Sequence, residues 1–356
     1  MRTLVVGLGW VAREVWIPRL LAHPKFELSG LVDVDPDAIA HAPSGQRIDV
    51  PVYADFRDVP TDDIDIAFVL TPNHTHSAIA EWFLRRGRAV FLEKPACTSA
   101  EELDAVVAAA AADGGWLALS SAARYRADVG ALRSLVTDGV LGEARLAEAT
   151  WVRAHGIPSS GWFTRRAAAG GGVLLDLGWH LVDVVHDLWP GTPVTAAAGV
   201  ATSDFLAEGG GTASWHGAAG PRNPAGHNGS TVEVEDQFTG FVATERYGLS
   251  LRVAWASHEQ IDTTVLTLYG SRGTAQLQTT FGFSPHRSFN PRLELRHDGT
   301  VEPVALPAEP IGTEYDRQLD SVARHFRDPD AGHRALDSMR WSYQVTSALY
   351  QAAGRP

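Results

Sequence analysis

A glycine motif placed directly after the first apolar strand constrains the fold more than any other feature of this sequence. Residues 7–12 read G-x-G-x-x-A and follow the β-branched and apolar run at residues 3–6. The first glycine of such a motif permits a tight turn, the second lets the backbone approach a pyrophosphate, and the small third residue allows close helix–strand packing. An ordinary strand-to-helix turn is the alternative interpretation. The residues expected to contact a dinucleotide here are Gly7, Gly9, Trp10 and Val11.

The first third of the chain alternates short apolar strands with helices. Strands are predicted over residues 26–33, 64–70, 89–92 and 116–120, and helices over residues 10–21, 75–86 and 100–112. Such alternation implies right-handed crossovers and a parallel sheet that is covered on both faces. We therefore predict an α/β chain that begins with a Rossmann dinucleotide-binding domain over residues 1–122.

The rest of the chain, residues 123–356, is predicted to be an α+β domain that binds substrate and forms oligomers. Its last helix is a candidate to pack back on the first domain. A glycine-rich segment at residues 207–230 is expected to be either a lid or disordered. Strands are predicted over residues 145–153, 232–234, 240–244, 250–255, 264–269, 274–278 and 292–296, and helices over residues 173–189 and 315–352.

The composition excludes some classes of partner and site. The chain has 30 basic and 42 acidic residues and a net charge of −12, whereas nucleic acids are bound by clustered basic surface. We expect no nucleic-acid partner, and no membrane span because no apolar run reaches the ~18–20 residues required. The single cysteine, Cys97, argues against a disulfide framework or a multi-cysteine metal site. The N-terminus is also too polar for a signal peptide. Together with the single cysteine, this predicts a reducing, cytoplasmic setting.

An acidic residue ends the second predicted strand, where a dinucleotide site needs a partner for the ribose hydroxyls. Asp33 lies about 20 residues beyond the glycine motif, as the dinucleotide fingerprint requires. Val34 follows it, rather than an arginine suited to a 2′-phosphate, so NAD is favoured over NADP. The alternative is that Asp33 and Asp35 only form the turn before Pro36.

Two groups of polar residues are candidates for proton transfer. Glu93 and Lys94 follow a buried strand, and ligands of open parallel sheets bind beyond the carboxyl ends of the strands. Asp176, His180 and Asp183 share one face of a predicted helix, and histidine is the side chain best suited to exchange a proton near neutral pH. The alternatives are a solvated lysine at a strand end and a helix-surface Asp–His pair.

The pair His74 and His76 raises the question of a metal. Two histidines are too few ligands for zinc, and no acidic or cysteine set completes them at a recognised spacing. We therefore predict no metal and interpret this segment as a polar turn above a strand end, in contact with cofactor.

Together these segments resemble the Gfo/Idh/MocA family, named for glucose–fructose oxidoreductase, inositol dehydrogenase and a rhizopine-catabolism protein. The matches spread over most of the chain and occur in the family's order. They are the dinucleotide motif at residues 7–12, T-P-N-x-x-H at residues 71–76, E-K-P at residues 93–95, G-G-G-x-x-x-D-x-G-x-H at residues 170–180, and Y-G-S-x-G-T at residues 269–274.

The resemblance implies a second domain built on a large, mainly antiparallel open sheet, with the active site between the two domains. It assigns catalysis to Lys94, Asp176 and His180. His180 would accept the hydroxyl proton, Lys94 would hydrogen-bond the same oxygen, and Asp176 would hold the geometry. By the same resemblance, the cofactor NAD would also be contacted by Thr71, Pro72, Asn73, His76, Glu93 and Lys94. A homodimer or homotetramer is expected.

The substrate is less constrained than the cofactor. The family often carries asparagine or glutamine before Arg124, but here the preceding residues are Ala122 and Ala123. The candidate substrate contacts are Arg124, His155, Trp162 and Arg165. These features favour an NAD-dependent dehydrogenase for a secondary alcohol of a sugar, inositol, aminocyclitol or amino-sugar. Two alternatives are a non-catalytic regulator that senses sugar or nucleotide, and a glycosidase that uses NAD for a transient oxidation.

Overall fold

A computed structural model describes residues 1–35, 48–111, 115–213, 232–288 and 290–355. Its contacts divide the chain into two compact units, each made of two separate stretches of sequence. The first unit comprises Met1–Ser120 and Tyr315–Tyr343, and the second comprises Ser121–Glu314 and Gln344–Pro356. Most of the loop predicted at 207–230, from residue 214 onward, lies outside the described residues.

The first unit is built on a parallel sheet, which confirms the predicted Rossmann architecture. The six strands lie in the order β3-β2-β1-β4-β5-β6, and every neighbouring pair is parallel. The central strands are apolar along their whole length because helices cover both faces of such a sheet. The strands are β1 Arg2–Val6, β2 Glu27–Val32, β3 Val52–Tyr53, β4 Ile66–Val69, β5 Ala89–Leu92 and β6 Trp116–Leu119.

Aromatic side chains fill the core between the central strands and the first helix. Phe68 of β4 stacks on Phe91 of β5, with ring centroids 4.5 Å apart, and Trp16 meets Phe91 edge-on at 4.8 Å. The predicted first helix starts as a π-helical turn and becomes regular only near Pro18, which has no N–H to donate to the preceding turn. Apart from short 3₁₀ turns, the helical segments before β6 are the π-helical turn Val11–Trp16, α1 Ile17–Ala22, α2 His76–Leu84 and α3 Ala100–Ala110.

Two helices near the end of the sequence lie mostly in the first unit. The single helical stretch predicted at 315–352 is interrupted between them, where Arg327 adopts a left-handed φ of 60°. Gln318 donates a side-chain hydrogen bond of 2.7 Å to the carbonyl of Leu119, at the end of β6. The helices are α8 Thr313–Arg324 and α9 Pro329–Ala352.

The second unit is built on an eight-stranded, mainly antiparallel sheet, as the resemblance implies. Its order is β14-β13-β12-β11-β7-β10-β9-β8, and β7 with β10 is its one parallel pair. The strand predicted at 232–234 is wrong, because the chain enters the sheet only at Gln237. The strands are β7 Ala144–Val152, β8 Val194–Thr202, β9 Gln237–Thr244, β10 Gly248–Ala254, β11 Thr263–Gly270, β12 Thr274–Thr279, β13 Arg292–His297 and β14 Thr300–Val304.

The helix predicted at 173–189 packs on this sheet. It combines a π-helical segment, Leu174–Gly178, with α6, Trp179–Leu188, and residues 174–188 are called the site helix below. The stretch Arg166–Leu188 is long and apolar enough to cross a membrane, but 83% of its most apolar window is buried within the protein. It is therefore accounted for as a core helix. The other α-helices that lie wholly in this unit are α4 Ala127–Thr137, α5 Arg166–Ala169 and α7 Asp204–Glu208.

Candidate functional site

The two glycines of the first motif have different structural roles. Gly7 has a φ of +91°, and a Cβ atom there would lie 2.8 Å from Thr71 Cγ2 and 2.9 Å from the Leu70 carbonyl. At Gly9 a Cβ atom would meet nothing within 4 Å. Gly7 is therefore required by the protein itself, whereas Gly9 leaves open space at the start of a helix. That space suits a pyrophosphate. The helical turn that follows begins with the half-buried Trp10 and Val11.

Asp33 sits at the end of β2, beside this turn. Its Oδ2 accepts a 2.6 Å hydrogen bond from the amide of Leu8, and its Oδ1 accepts one of 2.9 Å from the amide of Asp35. A carboxylate has about four acceptor positions, so both oxygens keep capacity for ribose hydroxyls. Asp33 therefore does form the predicted turn with Asp35, and this contact is compatible with its predicted role in binding NAD.

The segment after β4 is held by its own side chains. Thr75 Oγ1 lies 2.7 Å from Thr71 Oγ1 and 2.8 Å from the Pro72 carbonyl. His76 is only 1% exposed, with Nδ1 2.8 Å from the Pro95 carbonyl and Nε2 2.7 Å from the Thr71 carbonyl. Burial lowers the pKa of His76. The ring therefore ties the end of β4 to the segment after β5, and Asn73 is buried in the same turn.

Glu93 and Lys94 follow β5 but differ in their surroundings. The buried Glu93 carboxylate accepts hydrogen bonds from Trp16 Nε1 at 3.2 Å, Ser120 Oγ at 2.8 Å and the Lys94 amide at 2.9 Å. Lys94 is half-buried and precedes Pro95 through a cis peptide bond. Glu93 therefore anchors this turn from inside the first unit, while Lys94 keeps its side chain partly accessible.

The site helix presents Asp176 and His180 one turn apart. Asp176 Oδ2 accepts a 2.7 Å hydrogen bond from the indole of Trp255, which follows β10. The half-buried His180 ring lies 5.9 Å from the Trp151 ring on β7, measured between centroids. A carboxylate and an imidazole are thus fixed on one helical face. That pair is suited to general acid–base chemistry.

The third residue of that predicted face, Asp183, has another function. It forms a bidentate ion pair with Arg124, through Nε at 2.6 Å and through Nη2. Asp187 lies beside this pair and binds Arg133. Burial alone would lower the pKa of Arg124, but the carboxylates of Asp183 and Asp187 raise it. The predicted substrate residue Arg124 is therefore engaged in an internal ion pair, with 17% of its side chain exposed.

The other candidate substrate residues lie in two places. Trp162 stacks on Phe163, with ring centroids 3.8 Å apart. The exposed Arg165 belongs to the same turn, because its amide donates to the Trp162 carbonyl and its Nε to the Gly161 carbonyl. His155 is exposed, and its ring lies 5.7 Å from that of His286. Within the described residues, no three His, Cys, Asp or Glu side chains are arranged to hold a metal ion.

Sequence reasoning missed the residues that support the site helix. Glu235 and Tyr350 meet at its start, and Trp255 holds Asp176. A usable signal was the glycine run at residues 170–172, because consecutive glycines allow close approach of another chain segment. The consecutive acids Glu235 and Asp236, between the apolar residues Val234 and Phe238, were a second signal.

Comparisons with known proteins agree with this architecture. Residues 1–120 match the GFO_IDH_MocA model, described as an oxidoreductase family with an NAD-binding Rossmann fold, and residues 129–276 match the GFO/IDH/MocA C-terminal domain. A putative UDP-kanosamine synthase oxidoreductase subunit from Amycolatopsis mediterranei is 40% identical over 99% of this chain and 96% of its own length. The dTDP-3,4-didehydro-2,6-dideoxy-α-D-glucose 3-reductase of Streptomyces antibioticus is 26% identical over 92% and 87% of the two chains.

A similar fold occurs in a solved structure, the aldose–aldose oxidoreductase of Caulobacter crescentus in complex with glycerol. It superimposes with a TM-score of 0.75 at 24% identity, over 99% of this chain and 97% of that one. The relatives are nucleotide-sugar and sugar oxidoreductases, and the N-terminal match includes the glycine turn and Asp33. The chain therefore belongs to the Gfo/Idh/MocA family and is an NAD(P)-dependent oxidoreductase.

Proposed function

We propose that this enzyme oxidises, or in the reverse direction reduces, carbon 3 of a hexose carried on a nucleoside diphosphate. The observation that carries the proposal is the 40% identity, over 99% of the chain, to the UDP-kanosamine synthase oxidoreductase subunit. The dTDP-sugar 3-reductase adds a second relative whose name specifies a nucleotide-linked sugar and position 3. Inositol and free polyols are the less favoured substrates on this ground.

The catalytic roles follow from the chemistry of the side chains. Bound NAD supplies the acceptor, or in its reduced form the donor, of the hydride. His180 takes the proton of the reacting hydroxyl, since a half-buried imidazole can exchange a proton near neutral pH. Lys94 donates a hydrogen bond to the reacting oxygen and stabilises the negative charge that develops on it. Asp176, fixed by Trp255, orients the substrate hydroxyl and His180.

The reverse reaction uses the same groups. His180 or Lys94 gives a proton to the ketone oxygen, and the other retains its hydrogen bond to that oxygen.

The cofactor and the substrate are assigned to separate sets of residues. Gly7, Gly9 and the helical turn that follows them hold the pyrophosphate, and Asp33 binds the ribose hydroxyls. The segment from Thr71 to His76 and the turn at Glu93 border the nicotinamide end. Trp162, Arg165 and His155 are assigned to the nucleotide and sugar, and Arg124 acts only by holding Asp183 of the site helix.

A substrate panel with both cofactors tests the proposal. UDP-glucose, dTDP-glucose, free glucose and myo-inositol are each incubated with NAD or NADP, and the absorbance of the reduced cofactor is followed. We expect turnover with NAD and a nucleotide sugar. The carbon that is oxidised in the product is then identified by NMR. Turnover only with free polyols, or oxidation at another carbon, would contradict the proposed substrate.

Two variants test the catalytic assignment independently of the substrate. Lys94→Ala and His180→Ala are each expected to lower kcat by at least about 100-fold, as loss of a general acid–base group does. Both should bind NAD nearly as the parent does, which is measured by calorimetric titration. Two fully active variants would show that the assignment of these residues is wrong.

We also propose that the enzyme is a cytoplasmic homodimer or homotetramer. Its one cysteine, Cys97, is free and buried, in keeping with a reducing compartment. Val200 on β8 and Phe241 on β9 are 66% and 43% exposed, and paired apolar strand surfaces are often covered by another subunit. Light scattering after size-exclusion chromatography tests the assembly, and a purely monomeric protein at micromolar concentration would contradict it.

A further inference from the structure

We infer that Glu235 is a positioning residue for catalysis, which sets the start and register of the site helix and is itself held by Tyr350. The inference rests on the proposed function, because it assumes that Asp176 and His180 on that helix do the chemistry. Glu235 lies more than 50 residues away from both of them along the chain. Its role therefore comes from the tertiary fold.

Glu235 accepts hydrogen bonds from three consecutive amides, at residues 172–174, where the chain enters the site helix. The amide of Gly172 donates to both carboxylate oxygens of Glu235, at 3.1 and 3.2 Å, and the amide of Leu174 donates to Oε1 at 3.1 Å. Between them, the amide of Val173 donates to the Glu235 carbonyl at 3.0 Å. The first amides of a helix have no partner within it, and they carry partial positive charge. The Glu235 carboxylate, which is 1% exposed, accepts these hydrogen bonds and balances the partial positive charge without water.

The glycine run is shaped for this contact. A Cβ atom on Gly172 would lie 2.0 Å from the Glu235 carbonyl oxygen, and one on Gly171 would lie 2.1 Å from the Tyr350 hydroxyl. The Tyr350 hydroxyl donates a 2.7 Å hydrogen bond to Glu235 Oε1. Burial raises the pKa of both Glu235 and Tyr350. Glycine at these two positions is therefore explained by the approach of Glu235 and Tyr350.

The contacts of Glu235 and Tyr350 with residues 171–174, called the clamp below, matter because the helix begins irregularly. Its first segment, Leu174–Gly178, is π-helical and is followed by the α-helical segment Trp179–Leu188, so the hydrogen-bond spacing changes from i→i+5 to i→i+4 within the helix. Asp176 lies two positions beyond the last clamped amide. A shift of one residue rotates a helix by about 100°, which would remove Asp176 from Trp255 and turn His180 off its face. Fixing three consecutive amides prevents this shift.

The next residue provides a matched control. Asp236 is also a fully buried carboxylate, and its Oδ2 accepts a 2.6 Å hydrogen bond from the amide of Leu206. That bond caps α7, Asp204–Glu208, and not the site helix. Glu235→Gln and Asp236→Asn thus remove the same kind of charge from adjacent buried positions. Only the first touches the helix that carries Asp176 and His180.

The test compares Glu235→Gln, Tyr350→Phe and Asp236→Asn in kinetics and in hydrogen exchange. We expect Glu235→Gln to lower kcat roughly 10- to 100-fold, the effect of a small misplacement of catalytic groups, with KM and NAD affinity changed less than about twofold. Tyr350→Phe should have a smaller effect in the same direction. Amides 172–174 should exchange faster in both variants, whereas Asp236→Asn should leave kcat and these amides unchanged.

Three results would overturn the inference. They are an equal loss of kcat in Glu235→Gln and Asp236→Asn, a rise in KM with kcat unchanged, or unchanged exchange at amides 172–174. If Glu235→Gln does not fold, Tyr350→Phe decides by the same criteria, because it removes only one hydroxyl from the clamp. Full activity of His180→Ala would instead refute the proposed function, and the exchange measurement would still report whether the clamp exists.

Discussion

The indole Nε1 of Trp255 donates a hydrogen bond to Oδ2 of Asp176 over 2.7 Å, although 79 positions separate the two residues. Trp255→Phe removes this donor and keeps most of the ring volume. Since a hydrogen bond to a charged group contributes about 1.5–3 kcal/mol, we expect kcat to fall roughly tenfold or more. Trp116→Phe is the control, because its indole donates to the Asp328 carbonyl in the first unit. Steady-state kinetics of both variants check this, and equal kcat values would contradict it.

Substitution of Gly7 by alanine should lower the stability of the fold, whereas substitution of Gly9 by alanine should weaken NAD binding. Gly7→Ala places a Cβ atom at a positive φ and against Leu70, which costs about 2–4 kcal/mol of folding free energy. Gly9→Ala meets open space and should leave the melting temperature unchanged. It should weaken NAD binding roughly tenfold or more, because it fills the approach to the pyrophosphate. Thermal unfolding and calorimetric titration measure the two effects, and a stable Gly7→Ala would contradict this account.

Asp33→Ala should raise the Kd for NAD, and this effect should exceed its effect on the free energy of unfolding. It removes the acceptor of the Leu8 amide and the predicted partner of the ribose hydroxyls. One lost charge-assisted hydrogen bond corresponds to roughly a tenfold rise in Kd. Asp35→Ala, at the exposed neighbouring position, should change the Kd by less than about twofold. A parent enzyme that bound NADP more tightly than NAD would show that the inference from Asp33 is wrong.

Arg124→Ala should act on stability rather than on substrate binding. It would leave Asp183 buried without its bidentate partner, and breaking a buried ion pair in this way costs about 3–5 kcal/mol. Arg133→Ala, at a half-exposed position beside Asp187, should cost clearly less. Chemical unfolding measures both. A higher KM for sugar with unchanged unfolding would instead support Arg124 as a substrate contact.

The stability of the protein should depend on pH through Asp236. Burial raises the pKa of this carboxyl to about 6 from an ordinary value of 3.8. The folded state therefore binds the proton more tightly, and this contribution is full below about pH 4 and lost as pH rises through about 6. The loss amounts to about 3 kcal/mol. Relative to Asp236→Asn, the parent should lose this much stability between about pH 4 and pH 7, as measured by chemical unfolding, and a constant difference would contradict the prediction.

The parallel sheet was predictable because burial on both faces leaves its mark on the sequence. Ile66–Val69 and Ala89–Leu92 are apolar without interruption, and the predicted strands cover both. The alternation at residues 232–234 misled, because the carbonyl of Glu235 just beyond it accepts the amide of Val173 and the chain enters the sheet only at Gln237. Local periodicity records burial, but it does not record which distant segment takes the backbone hydrogen bonds.

The candidate site was predictable to the same extent. Spacing placed Asp176 and His180 on one helical face, and the structure holds them one turn apart. The same spacing placed Asp183 with them, yet a bidentate partner 59 positions away turns it into a structural ion pair. The supporting residues Trp255, Glu235 and Tyr350 could not be found this way, since each meets the site helix through the tertiary fold.

The two-part composition of the first unit has a consequence for synthesis. Strand β6 lies at the edge of the parallel sheet, and the carbonyl of Leu119 at its end receives Gln318 of α8. During translation, Gln318 is therefore made 199 positions after Leu119, the residue at that edge which it contacts. An exposed strand edge pairs readily with other chains. We therefore expect the nascent N-terminal unit to be prone to pairing with other chains until residues 315–343 have been made.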